Sequence, residues 1–185
     1  MELRCLGDIA KVVSGTNIVR MSEKELDQRY TNEDFEYDFY HMKQSDYENN
    51  VIYRQQPPAG AEHALATTLS NQSKEKIISQ AFVVMMPHPL VLDSLYLCYL
   101  INESEGIARQ FASFLQGSVV TRMPASKLME LQIPVIEREE QQKIGRLYAT
   151  ALYQNYLERR KADVKLQGIL HLLHEQEHQE GEMKK

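Results

Sequence analysis

The sequence is short of cysteine, of long apolar runs and of basic charge, and each shortage excludes something. None of its 185 residues lies in a run approaching the ~20 uncharged residues that a membrane-spanning helix needs, so no integral membrane protein is expected. Charges at Glu2, Arg4, Asp8 and Lys11 interrupt any signal-peptide core, which makes the cytoplasm the expected compartment. The two cysteines, Cys5 and Cys98, are far apart and each sits beside a leucine. They read as reduced, buried residues rather than a disulfide framework or a metal site. Lys and Arg number 21 against 26 Asp and Glu, a net charge of −5. A free-standing nucleic-acid binder usually carries the opposite imbalance.

Catalytic constellations are missing as well. There is no glycine-rich phosphate loop, no nucleophile elbow, and no pair of Cys or His at ligand spacing. His171, His174 and His178 share one face of a helical segment near Glu175. Metal binding is conceivable there, but solvated histidines close to a helix C-terminus are the simpler reading. No cofactor is expected. His41, His63 and His88 stand alone, and the tyrosines Tyr30, Tyr37, Tyr40, Tyr47 and Tyr53 read as core or interface packing, with base stacking as the alternative.

What is present is unevenly distributed. Nine acids lie between Glu23 and Glu48 against Lys24, Arg29 and Lys43, whereas acids and bases are equal, at seven each, from Asn49 to Arg138. The middle of the chain is therefore free to present a basic face. Leu6, Ile9, Ala10 and Val13 recur at helical spacing and predict an opening helix ended by Gly15. Asn17–Met21, Phe35–Met42 and Asn50–Arg54 read as strands or loop-strand pieces, the last closed by a turn at Pro57, Pro58 and Gly60. Ile77–Met86 reads as a buried strand, Leu92–Ile101 and Glu105–Phe114 as helices, and Gln132–Ile136 as a strand that Pro134 confines to an edge or sheet end.

Beyond Glu137 the chain changes character. From Arg138 to about His178 it has no proline and is rich in Ala, Leu, Glu, Gln, Lys and Arg. Leu152, Ala162, Leu166, Ile169 and Leu173 fall on the a and d positions of one heptad frame, which Asn155 and Arg159 also occupy. Two readings stay open: one continuous helix of ~60 Å pairing with another copy or a large partner, or a hairpin broken near Arg159–Asp163. The fold class is α+β: a globular domain over residues 1–136 with a small mixed sheet and helices, a long C-terminal helix over 137–180, and a disordered tail over 181–185.

Three stretches carry a family resemblance. Leu6-Gly7-Asp8-Ile9-Ala10-Lys11-Val12-Val13-Ser14-Gly15 is similar to the opening of a recognition domain in the specificity subunits of type I restriction-modification systems. Gly117-Ser118-Val119-Val120, with Leu128, Leu131, Ile133, Pro134 and Val135, is similar to the end of that domain. Glu139-Glu140-Gln141-Gln142-Lys143-Ile144 resembles the start of the family's long conserved helix. A complete subunit has two such halves, and this chain resembles one.

The resemblance implies a non-catalytic subunit that recognises double-stranded DNA and docks a methyltransferase subunit, with the restriction subunit bound indirectly. A half-length chain rebuilds the two-domain arrangement as a homodimer, its helices setting the gap in a palindromic bipartite site. Phosphate and base-edge contacts would come from polar loops. The first choices are Arg54, Gln55 and Gln56 before the proline turn, and Asn71, Gln72, Lys74 and Lys76 in the loop that follows. Thr16, Asn17 and Arg20 after the first helix, and Thr121 and Arg122 beyond Gly117, are further candidates. The acidic balance keeps a second reading in play: a protein-interaction module related to the family that does not itself read DNA.

Overall fold

The computed structural model describes residues 2–44, 50–55, 65–115 and 122–183. Gln56, Tyr47, His63, Gly117–Val120 and Thr121, all named above, lie outside the described residues. In chain order the elements are β1 (Glu2–Cys5), α1 (Leu6–Ile9), β2 (Ala10–Ser14), α2 (Glu23–Asp27), α3 (Asn32–Tyr40), β3 (Val51–Arg54) and β4 (Ala66–Thr68). They continue with β5 (Phe82–Pro87), α4 (Ser94–Glu103), α5 (Glu105–Leu115), α6 (Ala125–Met129), β6 (Gln132–Val135) and α7 (Arg138–Met183). The class is α+β, with two small antiparallel sheets and a long C-terminal helix.

The larger sheet has the order β2-β5-β3-β4. Alternation along its inner strand β3 places α3 on one face and α5 on the other: Tyr53 stacks on Phe111 of α5, while the next residue, Arg54, lies over Phe35 of α3. With both faces covered, every residue of β3 is buried. The second sheet joins the chain's first strand to its last, β1 to β6, with Pro134 opposite Leu3. Both strands of so small a sheet are edges, which is where a residue without an N–H is tolerated.

Several expectations from sequence give way here. Phe35–Met42 is not a strand: Asn32–Tyr40 is helical, started by a reciprocal cap in which Thr31 Oγ1 accepts from the Asp34 N–H and the Asp34 carboxylate accepts from the Thr31 N–H. The opening helix stops at Ile9, because Ala10–Ser14 pairs with Val83–Pro87 across the chain. Gly15 is not its C-cap but lies against another segment, where an added Cβ would come 2.1 Å from the Ser79 carbonyl oxygen. Residues 17–21 hold only a single 3₁₀ turn, Ile18–Arg20, rather than a strand. Cys98 is fully buried, which pushes its thiol well up, and Cys5 is half-buried.

The long helix is continuous over 46 residues, about 69 Å, so the hairpin reading is overturned. It extends through residues 181–183, where a tail is expected from sequence. Its foot is fixed by Gln141, fully buried, which accepts from the Asp93 N–H at 2.9 Å and donates to the Val91 and Ile136 carbonyls at 3.0 and 2.8 Å. Arg138 adds a 2.6 Å ion pair to Asp93, whose other oxygen caps α4. Higher up, Tyr40 and His41 pack on Tyr156. Past Tyr156 every residue through Gln176 is exposed.

Candidate nucleic-acid interface

Helix α3 organises the polar face of the domain. Its carboxylates are spaced so that each meets a different partner. Asp34 holds the Lys76 ammonium at 2.6 Å, Glu36 holds the Arg54 guanidinium at 2.6 Å, and Asp38 accepts from the Tyr30 hydroxyl at 2.9 Å and the Ser73 hydroxyl at 3.1 Å. Two acids of the negative stretch are thus neutralised by cations, and the third is bonded to uncharged hydroxyls. Burial pushes the Asp34 carboxyl up, but hydrogen bonds from Lys76 and Thr31 outweigh it and hold the group below its ordinary value. Asp38 is raised, because burial dominates over the hydrogen bonds it accepts.

Arg54 stands at the end of β3 with its side chain 1% exposed and its guanidinium 4.2 Å from the Phe35 ring centroid. Ion pair and stacking fix it in one orientation. Beside it opens a small cleft of about 170 Å³ lined by Asn32, Arg54, Gln55, Ala81 and Arg122. The fold therefore brings together Arg54, Gln55 and Arg122, which lie 68 positions apart at the extremes. Arg122 is exposed and Gln55 half-buried at the cleft, whereas Arg54 is buried and already paired with Glu36.

The remaining candidates are spread over other loops. Gln72 and Lys74 are exposed and Asn71 is at the surface, whereas Lys76 is already engaged with Asp34. Thr16 is tied into the backbone, its N–H donating to the Ile78 carbonyl and its carbonyl accepting from the Gln80 N–H, both at 2.8 Å. Asn17 caps the following turn by accepting from the Val19 N–H at 3.0 Å, and Arg20 is exposed. Of the helix positions, Leu152 packs on the domain, while Ala162, Leu166, Ile169 and Leu173 are exposed. The tyrosines behave as packing residues where described: Tyr30 and Tyr53 are buried and Tyr40 lies against Tyr156. Among the described residues no group of His, Cys, Asp and Glu is arranged to hold a metal, and His171 instead lies 3.3 Å from Glu175 on the exposed helix.

Asn32, Phe35 and Glu36 were not singled out from the sequence, although they build the cleft. Their signal was available. Thr31-x-x-Asp34 followed by apolar residues is a helix start, and a helix from there sets Glu36 on the face that meets β3.

No protein-family model matches the chain, and no curated protein matches it significantly. Solved structures do. A chain from the structural work on complex assembly and conformational transition of the type I R-M system superposes with a TM-score of 0.55 at 15% identity, covering 90% of this chain and 42% of its own length. The fold is that of a type I restriction-modification component. The HsdS subunit from Thermoanaerobacter tengcongensis aligns at 15% identity and a TM-score of 0.47, over 87% of this chain and 39% of that one. The chain thus spans about two-fifths of the length of the solved chains it matches. Among the described residues, no helix is long and apolar enough to cross a membrane.

Proposed function

We propose that this chain is a half-length DNA-specificity subunit of a type I restriction-modification system. Residues 1–136 read duplex DNA, and residues 137–180 dock the methyltransferase subunit, through which the restriction subunit joins. Two copies replace the two-domain subunit and address a palindromic, bipartite site. The assembly works in the cytoplasm, and the chain itself is not catalytic. The observation that carries this reading is the likeness to a type I system chain over 90% of the sequence, globular domain and long helix together.

Within the domain, the cleft beside Arg54 is the leading reading surface. Arg122 and Gln55 supply the two side-chain types that pair with guanine and adenine edges, beside an Arg54 held in place by Glu36. Lys74 and Gln72, exposed on another loop, serve as phosphate and base contacts. On the helix, Leu157 and Val164 are exposed one heptad apart and off the Leu166–Leu173 seam, which leaves a second apolar strip for the methyltransferase.

The test is selection of bound sequences from a random duplex library by the chain together with a type I methyltransferase subunit that co-purifies with it. Enrichment of one gapped palindrome is expected. Arg122→Ala should weaken binding to that site by about 1–3 kcal/mol if it reads a base, or lower the salt slope by about one if it meets a phosphate. No enrichment, with a salt slope near zero, would reject the reading. The net charge of −5 favours a second one, a related interaction module that does not bind DNA, and that outcome is what it predicts.

A further inference from the structure

Gln142, Arg146 and Thr150 stand four residues apart along α7 and so share one face of its lower turns. That face does not close on the domain. It is one wall of a cleft of about 320 Å³, whose other walls are the start of α4 at Ser94 and Leu95 and the single turn Met42–Gln44 after α3, which brings in Lys43. The cleft is distinct from the one beside Arg54. Asn32 at the start of α3 lines that one, whereas Lys43 follows the end of the same helix, nine residues or about 13 Å further on.

Its walls are rich in hydrogen-bond donors, and these are unused. Ser94 is only 4% exposed, yet its hydroxyl has no hydrogen-bond partner among the described residues. A polar group so buried is ordinarily bonded, and this one opens on the cleft. The N–H groups of Ser94 and Leu95, the first two of α4, also lack partners among the described residues, since the Asp93 carboxylate takes the next one, that of Tyr96. Arg146 is exposed and meets no acid among the described residues, and the Lys43 ammonium rests 3.9 Å from the Tyr153 ring centroid. Asp93 is the one acid on the lining among the described residues, and its second oxygen is held by Arg138 at 2.6 Å. Two cations and the positive end of a helix are thus left uncompensated.

We propose that this cleft binds the phosphate group of an ester. Donors on three walls suit a tetrahedral oxyanion, whereas a planar carboxylate with two oxygens would leave several of them unpaired. The space beyond one phosphate holds the alcohol it is esterified to. A backbone phosphate of duplex DNA and the phosphate of a small ester offer the same chemistry here. None of these residues belongs to the cleft beside Arg54, so the site is independent of base reading there.

The test is amide NMR of the full-length chain titrated with inorganic phosphate at an ionic strength held constant with sodium chloride. Saturable shifts confined to the cleft, led by the Ser94 and Leu95 N–H groups, are expected. Arg146→Gln and Lys43→Gln, both at exposed positions, should each raise the midpoint about tenfold. Arg160→Gln, exposed on the outer helix, should leave it unchanged. Two further probes separate the sources. Saturation by adenosine 5′-monophosphate but not by a random-sequence duplex assigns the site to a small ester. Saturation by the duplex, lost in Arg146→Gln and kept in Arg122→Ala, assigns it to the DNA backbone. Either result supports the site. Binding of inorganic phosphate with neither ester, no shift at Ser94 and Leu95 with any probe, or a midpoint that Arg146→Gln leaves unchanged overturns it, while sequence selection through the cleft beside Arg54 would survive that failure.

Discussion

A glutamine buried at the foot of a long helix has to satisfy both its amide oxygen and its amide nitrogen, and Gln141 does so with three backbone partners from two segments. Replacing it with alanine leaves the Asp93 N–H and two carbonyls without partners. We expect Gln141→Ala to cost about 2–3 kcal/mol in chemical denaturation, with Gln141→Glu no milder because a carboxylate cannot donate. Asp34 gives a pH test. Its folded value is held below 3.8, so its stabilisation is fully present above the ordinary carboxylate range and is lost as pH falls below it. Asp34→Asn should therefore lower the melting temperature at pH 7 and show a smaller further drop than the parent chain between pH 7 and about pH 3. At this scale the sequence was only partly legible. The polar residue types near Arg54 were apparent, but Arg54 itself reads as a loop cation and is a buried one, because its partners Phe35 and Glu36 come from a segment whose aromatics suggest a strand.

Elements with an unbroken pattern were readable, including β3, β5 and β6 that pair far along the chain, whereas β2 and the locally capped α3 were not. The helices α4, α5 and α7 follow from composition and continuous periodicity, and β6 from its short apolar run with a proline. The opening segment misleads because Leu6, Ile9, Ala10 and Val13 fit a helix, whereas residues 10–14 gain more by pairing with β5, more than 60 residues away. Two glycines of α7, Gly145 and Gly168, make opposite predictions. A Cβ at Gly145 would lie 2.7 Å from Leu95 Cβ and from the Tyr96 backbone nitrogen, so this glycine lets α4 and α7 approach. Gly145→Ala should cost about 1–3 kcal/mol by forcing the helices apart. At Gly168 nothing stands within 4 Å, and alanine there should stabilise the outer helix by up to about 1 kcal/mol, read as slower amide exchange over the outer turns.

For the whole molecule, the distribution of burial predicts two independent parts. The core is complete by Tyr156, since no residue from Leu157 to Gln176 is buried. A chain ending at Leu157 should therefore unfold in one cooperative transition near the parent's midpoint, while losing any self-association measured by sedimentation. A large fall in the midpoint would show that the outer helix supports the domain. The acidity of the chain keeps its meaning at this scale. Its net charge of −5 already counts Lys76 and Arg54 against Asp34 and Glu36, so those ion pairs leave the net field met by a distant phosphate unchanged.

The small knot of Gln141, Arg138 and Asp93 also has a mechanical consequence. It anchors the foot of a rod about 69 Å long, of which about 40 Å, beyond Tyr156, stands clear of the domain. A bend of about 5° at Tyr156 sweeps the far tip through about 3.5 Å, close to the rise of one base pair at 3.4 Å. That knot, with Ile144, Tyr148 and Leu152 packed above it, sets the angle at which the free end leaves the domain.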